Sequence, residues 1–150
     1  MYDRILVPTD GSTGVERAIE HAIDLASIHG ATLHAVYVVN TASFASLPME
    51  TSWEGVNDML RDEGESAVDR VRALAEPYDI DVETALLDGS PSREIVRYAT
   101  ETRCDLIVMG THGRGGIDRL LLGSVAERVV RSSAIPVLTV RVGRETVDEE

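Results

Sequence analysis

The chain contains no lysine. All 14 of its basic residues are arginine, set against 26 aspartates and glutamates, and the formal charge is -12 over 150 residues. Without a lysine amine there can be no Schiff base, no pyridoxal-phosphate site and no Walker A phosphate loop. An acidic chain also lacks the basic face that nucleic-acid backbones require, so no nucleic-acid partner is expected. Cys104 is the single cysteine, which excludes an internal disulfide. It opens an apolar run and reads as a small buried hydrophobe, not a reactive thiol. No apolar run approaches the ~18 residues of a membrane span, so no membrane partner is expected. Met1 leads straight into a strand-like run with no basic n-region or cleavage site, so a cytoplasmic protein is expected. Aromatics are scarce, with one Phe and one Trp.

What is present describes one folded domain. Hydrophobic residues make up 43% and mean hydropathy is -0.04, values of a packed chain and not a disordered one. A single domain is expected over 1–143, with a polar tail over 144–150. The charge is uneven. Residues 1–49 hold five acids and two arginines, 50–88 hold twelve and three, and 89–150 hold nine of each. Within the last part, 104–144 has three acids and six arginines. An anion would favour that locally basic stretch. The acidic, lysine-free composition suits a salt-accumulating halophile, because molar salt shortens the Debye length to about 3 Å and screens self-repulsion. The plainer alternative is an ordinary acidic mesophile protein.

Along the chain, residues 2–8 read as a buried strand stopped by Pro8 and a turn at Thr9, Asp10 and Gly11. Thr13 and Glu16 form a capping-box pattern. Val15, Ala18, Ile19, Ala22, Leu25 and Ala26 then repeat at helical spacing, with Gly30 suited to the C′ position. Residues 31–39 form a second strand. Residues 40–53 carry Phe44, Leu47, Pro48, Met49 and Trp53 without a period, and read either as a cover over a ligand or as a surface loop. A long helix over 54–76 follows, its outer face acidic, weakened by Gly64 by about 1 kcal/mol. Residues 80–87 alternate as an edge strand does. Pro91 starts a third helix, and Leu106 to Met109 form a buried strand ending at Gly110. A last helix spans about 124–132. The last strand takes Ile135, Pro136, Val137, Leu138, Thr139, Val140, Arg141 and Val142. The order βαβαβαβαβ implies an α/β fold, a doubly wound parallel sheet with helices on both faces.

The stretch Gly110, Thr111, His112, Gly113, Arg114, followed by Gly123, Ser124 and Val125, carries the chemistry. A strand end, a glycine loop and a helix N-terminus together form a phosphate cradle that needs no lysine. Ser124 and Glu127 make a second capping-box pattern. Open α/β sheets bind ligands outside the carboxyl ends of strands where strand order reverses. Asp10 would face that crevice if its strand neighbours the one ending at Gly110, and could accept ribose hydroxyls or hold the turn. His112 either touches phosphate or is a solvated loop residue. His21, His29 and His34 show no ligand-like clustering. Dinucleotide, nucleophile-elbow and zinc signatures are absent.

The spacing Gly110-x2-Gly113-x9-Gly123-Ser124 resembles the nucleotide motif of the universal stress protein family, in its ATP-binding branch. The opening Ile5, Leu6, Val7, Pro8, Thr9, Asp10, Gly11, Ser12 and the strand from Ile135 to Val140 resemble that family's first and last strands. The resemblance implies a five-stranded, Rossmann-like sheet of the adenine-nucleotide alpha hydrolase type, in the order 3-2-1-4-5. It implies that Pro8 and Val38 frame adenine, Val38 through its main chain, that Asp10 meets ribose, and that Thr9 belongs to the same nucleotide site. Gly110, Gly113, Gly123, Ser124 and Val125 would hold the phosphates of ATP, ADP or AMP, with His112 and Arg114 nearby. Mg or Mn would ride on the phosphates. It also implies a homodimer through the last strand, whose apolar exposed edge needs a partner. Three functions follow: a regulatory ATP-binding module with a protein partner, a slow ATPase or phosphotransfer enzyme, and a nucleotide-free structural or chaperone-like dimer. No general base accompanies Arg114, which favours binding over turnover.

Overall fold

The computed structural model describes residues 1–41, 53–111 and 123–141. Five parallel strands lie in the order β3-β2-β1-β4-β5. They are β1 (Arg4–Pro8), β2 (Thr32–Val39), β3 (Val82–Asp88), β4 (Leu106–Gly110) and β5 (Val137–Val140). The described helices are α1 (Glu16–His29), α2 (Trp53–Ala75), α3 (Pro91–Glu101) and α4 (Ser124–Ser132). This is the expected doubly wound sheet in the expected order. The central strands β1, β2 and β4 are too apolar to face water on either side, which suits a parallel sheet covered by helices on both faces. Ile5, Leu6 and Val7 of the central strand are completely buried.

The two faces of the sheet carry separate cores. Ile5, Val7, Leu33, Ala35, Tyr37 and Val39 pack under α1 and α2, while Leu6, Val36, Ile107 and Met109 pack under α3 and α4. Helix α1 turns Ala18, Ala22 and Ala26 to the sheet, one per turn, so the backbone can approach closely. It ends at Gly30, whose φ of 69° lets Ala31 N–H reach back to Ala26 O at 2.9 Å, a Schellman closure. Gly64 of α2 has a packing role that propensity hides. A Cβ there would lie 2.7 Å from Tyr37 Cδ1 and 2.9 Å from Leu86 Cδ2, so the absent side chain is what seats α2 on β2 and β3.

Neither expected capping box forms. The N-cap of α1 is Val15, without a side-chain hydrogen bond. Thr13 supplies only its carbonyl, to Glu16 N–H at 3.2 Å. The Glu16 carboxylate instead accepts from Arg70 of α2 at 2.8 Å. At α4 the N-cap is Gly123, and Ser124 is already the first helical residue. Glu127 pairs forward with Arg131 at 3.0 Å. Other bounds shift slightly. β3 begins at Val82 rather than 80, after a left-handed turn at Asp79. β5 begins at Val137 because Ile135 N–H is held by Ser133 Oγ in a turn. Residue 142, most of the 40–53 loop and the 144–150 tail lie outside the described residues.

Candidate functional site

Strand order reverses between β1 and β4, and their ladder is short. It runs only through Ile5–Leu106 and Leu6–Ile107, so Pro8 and Thr9 stand on one side of a gap and Met109 and Gly110 on the other. The chain leaves β1 toward α1 on one face of the sheet and reaches α4 on the opposite face after β4. That split is the crevice of a doubly wound sheet.

The turn after β1 is tightly held. Thr9 is buried; its N–H donates to Val36 O at 2.9 Å and its Oγ1 accepts from Gly11 N–H at 3.1 Å. The Asp10 carboxylate accepts from Ser12 N–H at 3.0 Å, with Gly11 at φ 81° between them. Asp10 therefore fills the turn-holding role that the sequence left open. On β2, odd-numbered residues bond to β3, as in Leu33 N–H to Asp81 O and Gly89 N–H to Val39 O. Even-numbered residues face β1, as in Thr9 N–H to Val36 O. By that alternation the Val38 main chain points into the space where β1 has ended.

The far wall is built from β4, β5 and α4. Gly110 pairs with Val140, and Thr111 N–H donates to Val140 O at 2.9 Å. Gly123 N–H donates to Thr111 O, which pins the start of α4 to the end of β4. This long-range contact, invisible in the local sequence, makes Gly123 the half-in residue of the helix. Its carbonyl takes the first intrahelical bond, from Glu127 N–H at 2.9 Å. Ser124 and Val125 thus begin α4 without a side-chain hydrogen bond from the N-cap residue, so that their amides have no partner within the helix, and Glu127 is the acidic residue of its first turn. His112, Gly113 and Arg114 lie outside the described residues.

A cleft of about 740 Å³ opens on the other face, between α1 and α2. It shares Thr9 with the crevice, and its walls carry Glu16, Asp58, Asp62, Glu63 and Arg70. The excess of carboxylates disfavours phosphate there, whereas the α4 terminus favours it. Ser12, on its border, has a buried hydroxyl with no hydrogen-bond partner among the described residues. Sequence reading gave Thr111 no role of its own within the glycine stretch, since its contacts with Val140 and Gly123 are distant in the chain.

Away from the crevice, His34 and Cys104 are buried. Burial pushes the Cys104 thiol up, opposed by its hydrogen bond with the Thr102 hydroxyl, as suits an inert core cysteine.

Residues 1–141 match the universal stress protein family. The chain belongs to that family. A universal stress protein of Methanocaldococcus jannaschii, MJ0531, is 44% identical over 141 residues, covering 94% of this chain and 83% of that one. The universal stress protein YxiE of Bacillus subtilis is 30% identical over 148 residues, covering 94% and 100%. The solved structure of the protein MJ0577 superposes with a TM-score of 0.84 at 29% identity, covering 98% and 99%. A universal stress protein solved in complex with cAMP superposes with a TM-score of 0.69 at 26% identity, covering 93% and 97%. Universal stress proteins thus share this chain's sheet, in which Pro8, Val38 and Gly110 stand at the carboxyl ends of β1, β2 and β4, Thr9 and Asp10 follow β1, and Gly123, Ser124 and Val125 stand at the start of α4. Among the described residues no helix is long and apolar enough to cross a membrane.

Proposed function

We propose that this universal stress protein is an ATP-binding regulatory module that works as a homodimer and presents its nucleotide state to a protein partner. The observation that carries the reading is the Gly123–Thr111 hydrogen bond, which sets the uncapped start of α4 beside the β1–β4 gap. Pro8 and the Val38 main chain would hold adenine, and the Asp10 carboxylate would meet ribose. The amides of Gly110, Gly113, Gly123, Ser124 and Val125 would hold the phosphates, with His112 and Arg114 beside them. The relative solved with cAMP supports an adenine nucleotide as the ligand class. Among the described residues no three His, Cys, Asp or Glu side chains converge on a metal position. Mg or Mn would ride on the phosphates. Asp10 is engaged in its turn and Glu127 with Arg131, so neither is poised as a base for water, which favours binding over turnover. Analysis of the denatured purified protein for released nucleotide tests the reading. ATP or another adenine nucleotide near one per chain is expected, and protein that is empty and fails to bind added ATP would overturn it.

The dimer would form at β5. Ile107 N–H donates to Pro136 O and Thr111 N–H to Val140 O, so even-numbered residues of β5 face β4. Val137, Thr139 and Arg141 therefore turn their backbone groups outward, and Leu138 is 39% exposed beside them. A second copy related by a two-fold axis would satisfy both. Thr139→Pro removes an outward donor without breaking the internal ladder. It should give a folded monomer by sedimentation. The composition further supports a salt-rich habitat, which would show as a higher melting temperature in molar KCl than in dilute buffer.

A further inference from the structure

A five-stranded open sheet has two edges, and a protein that pairs at one must keep the other from pairing. Here the second edge is β3. Its odd-numbered backbone groups bond to β2, through Asp81 O and Gly89 N–H, so Val82, Thr84 and Leu86 turn theirs outward. The Val82 carbonyl is not left open. Arg72, reaching over from α2, donates through Nη1 to Val82 O at 3.2 Å and through Nη2 to Thr84 Oγ1 at 3.4 Å. At the other end of the strand, Arg61 Nη2 holds Asp88 Oδ2 at 2.6 Å. Arg61 and Arg72 are three helical turns apart, so one stripe of α2 runs its cations along the outer side of β3.

We propose that the Arg72 guanidinium closes the β3 edge to a second copy of this chain, so that strand-to-strand association is confined to β5. A β3–β3 pairing would have to displace Arg72 from the Val82 carbonyl. It would also bring together two strands bearing Asp81, Glu83 and Asp88. On β5, by contrast, Val137–Val140 carry no charge. Among the described residues no side chain hydrogen-bonds to the outward groups of β5. The exposed Arg72 adds little to the stability of its own chain, so the effect of removing it belongs in association, not in folding. The choice of β5 rests on the dimer proposed above; the closure of β3 does not.

Sedimentation of the full-length chain separates the two. The species compared are the native sequence, R72A, T139P and R72A/T139P, each in dilute buffer and in molar KCl to screen the acids. R72A is expected to form species larger than the native dimer. In the T139P background it should convert monomer to dimer, tightening self-association roughly tenfold or more. R72Q, whose amide is too short to reach Val82, should behave like R72A and guards against a folding artefact, checked by thermal melting. If R72A/T139P and R72Q/T139P sediment as T139P does in both salts, the closure is overturned. If T139P remains a dimer, the β5 interface fails, and larger species from R72A alone still support the closure.

Discussion

The His34 imidazole Nδ1 lies 2.9 Å from the Tyr98 hydroxyl, and the two rings meet edge to face at 65°. His34 is only 4% exposed, wedged between β2 and α3. Burial pushes its pKa below the ordinary 6.5, opposed by the neighbouring Glu83 and reinforced by Arg4. The folded chain therefore keeps the imidazole neutral where the unfolded chain takes up a proton. This group's contribution is present above pH 6.5 and is lost progressively as pH falls below it. Urea unfolding from about pH 8 to pH 5 should show a decline that shrinks in His34→Gln; equal declines would refute the assignment. Tyr98→Phe should cost about 1–3 kcal/mol by leaving a buried ring nitrogen unpaired.

Gly64→Ala tests whether packing or propensity governs α2. Alanine gains about 1 kcal/mol in an exposed helix. Here its Cβ would press on the buried Tyr37 ring, and overpacking of this kind costs about 1–3 kcal/mol. A net loss of stability is expected in denaturant titration, and a gain would show that α2 can shift outward freely.

Gly113→Val should abolish nucleotide binding while leaving the oligomeric state unchanged, because a branched side chain would occupy phosphate space. Equilibrium dialysis with ATP, paired with sedimentation, reads both. Unchanged affinity would remove Gly113 from the cradle.

Salt should act on ATP binding in two stages. The net charge of -12 repels the nucleotide at low ionic strength, so moderate salt or divalent cations should tighten binding before direct phosphate contacts are screened. A steady fall in affinity from the lowest salt upward would contradict this.

Much of the fold was legible because its determinants are local. Ile5, Leu6 and Val7, then Leu106 to Met109, are apolar runs that only a buried parallel sheet accommodates. Gly30 and Pro91 mark helix ends by their own backbone chemistry. The errors arose where a distant partner decided. Ser124 and Glu127 have capping-box spacing, but the Thr111 carbonyl claims Gly123, which takes the N-cap place in front of a helix that starts at Ser124 as expected. Glu16 leaves its expected cap for Arg70, 54 positions away. Gly64 looked like a weak point because Tyr37 and Leu86 cannot be seen from the helix sequence. At the crevice, Asp10 and Gly110 were readable from their strands, but the way Val38 and Thr111 complete it depends on register.

The acidic α1–α2 cleft and the bare amides of α4 flank one crevice from opposite faces of the sheet. A triphosphate approaching it would meet a lateral field and not merely a repulsive one. Its charged tail would be turned toward α4 before any hydrogen bond formed, leaving the base to arrive on the β2 side. The protein would thus sort nucleotide orientations during encounter, and neutralising Asp58 and Asp62 would weaken that sorting, even as it eases the overall repulsion, without touching a group that holds the bound ligand.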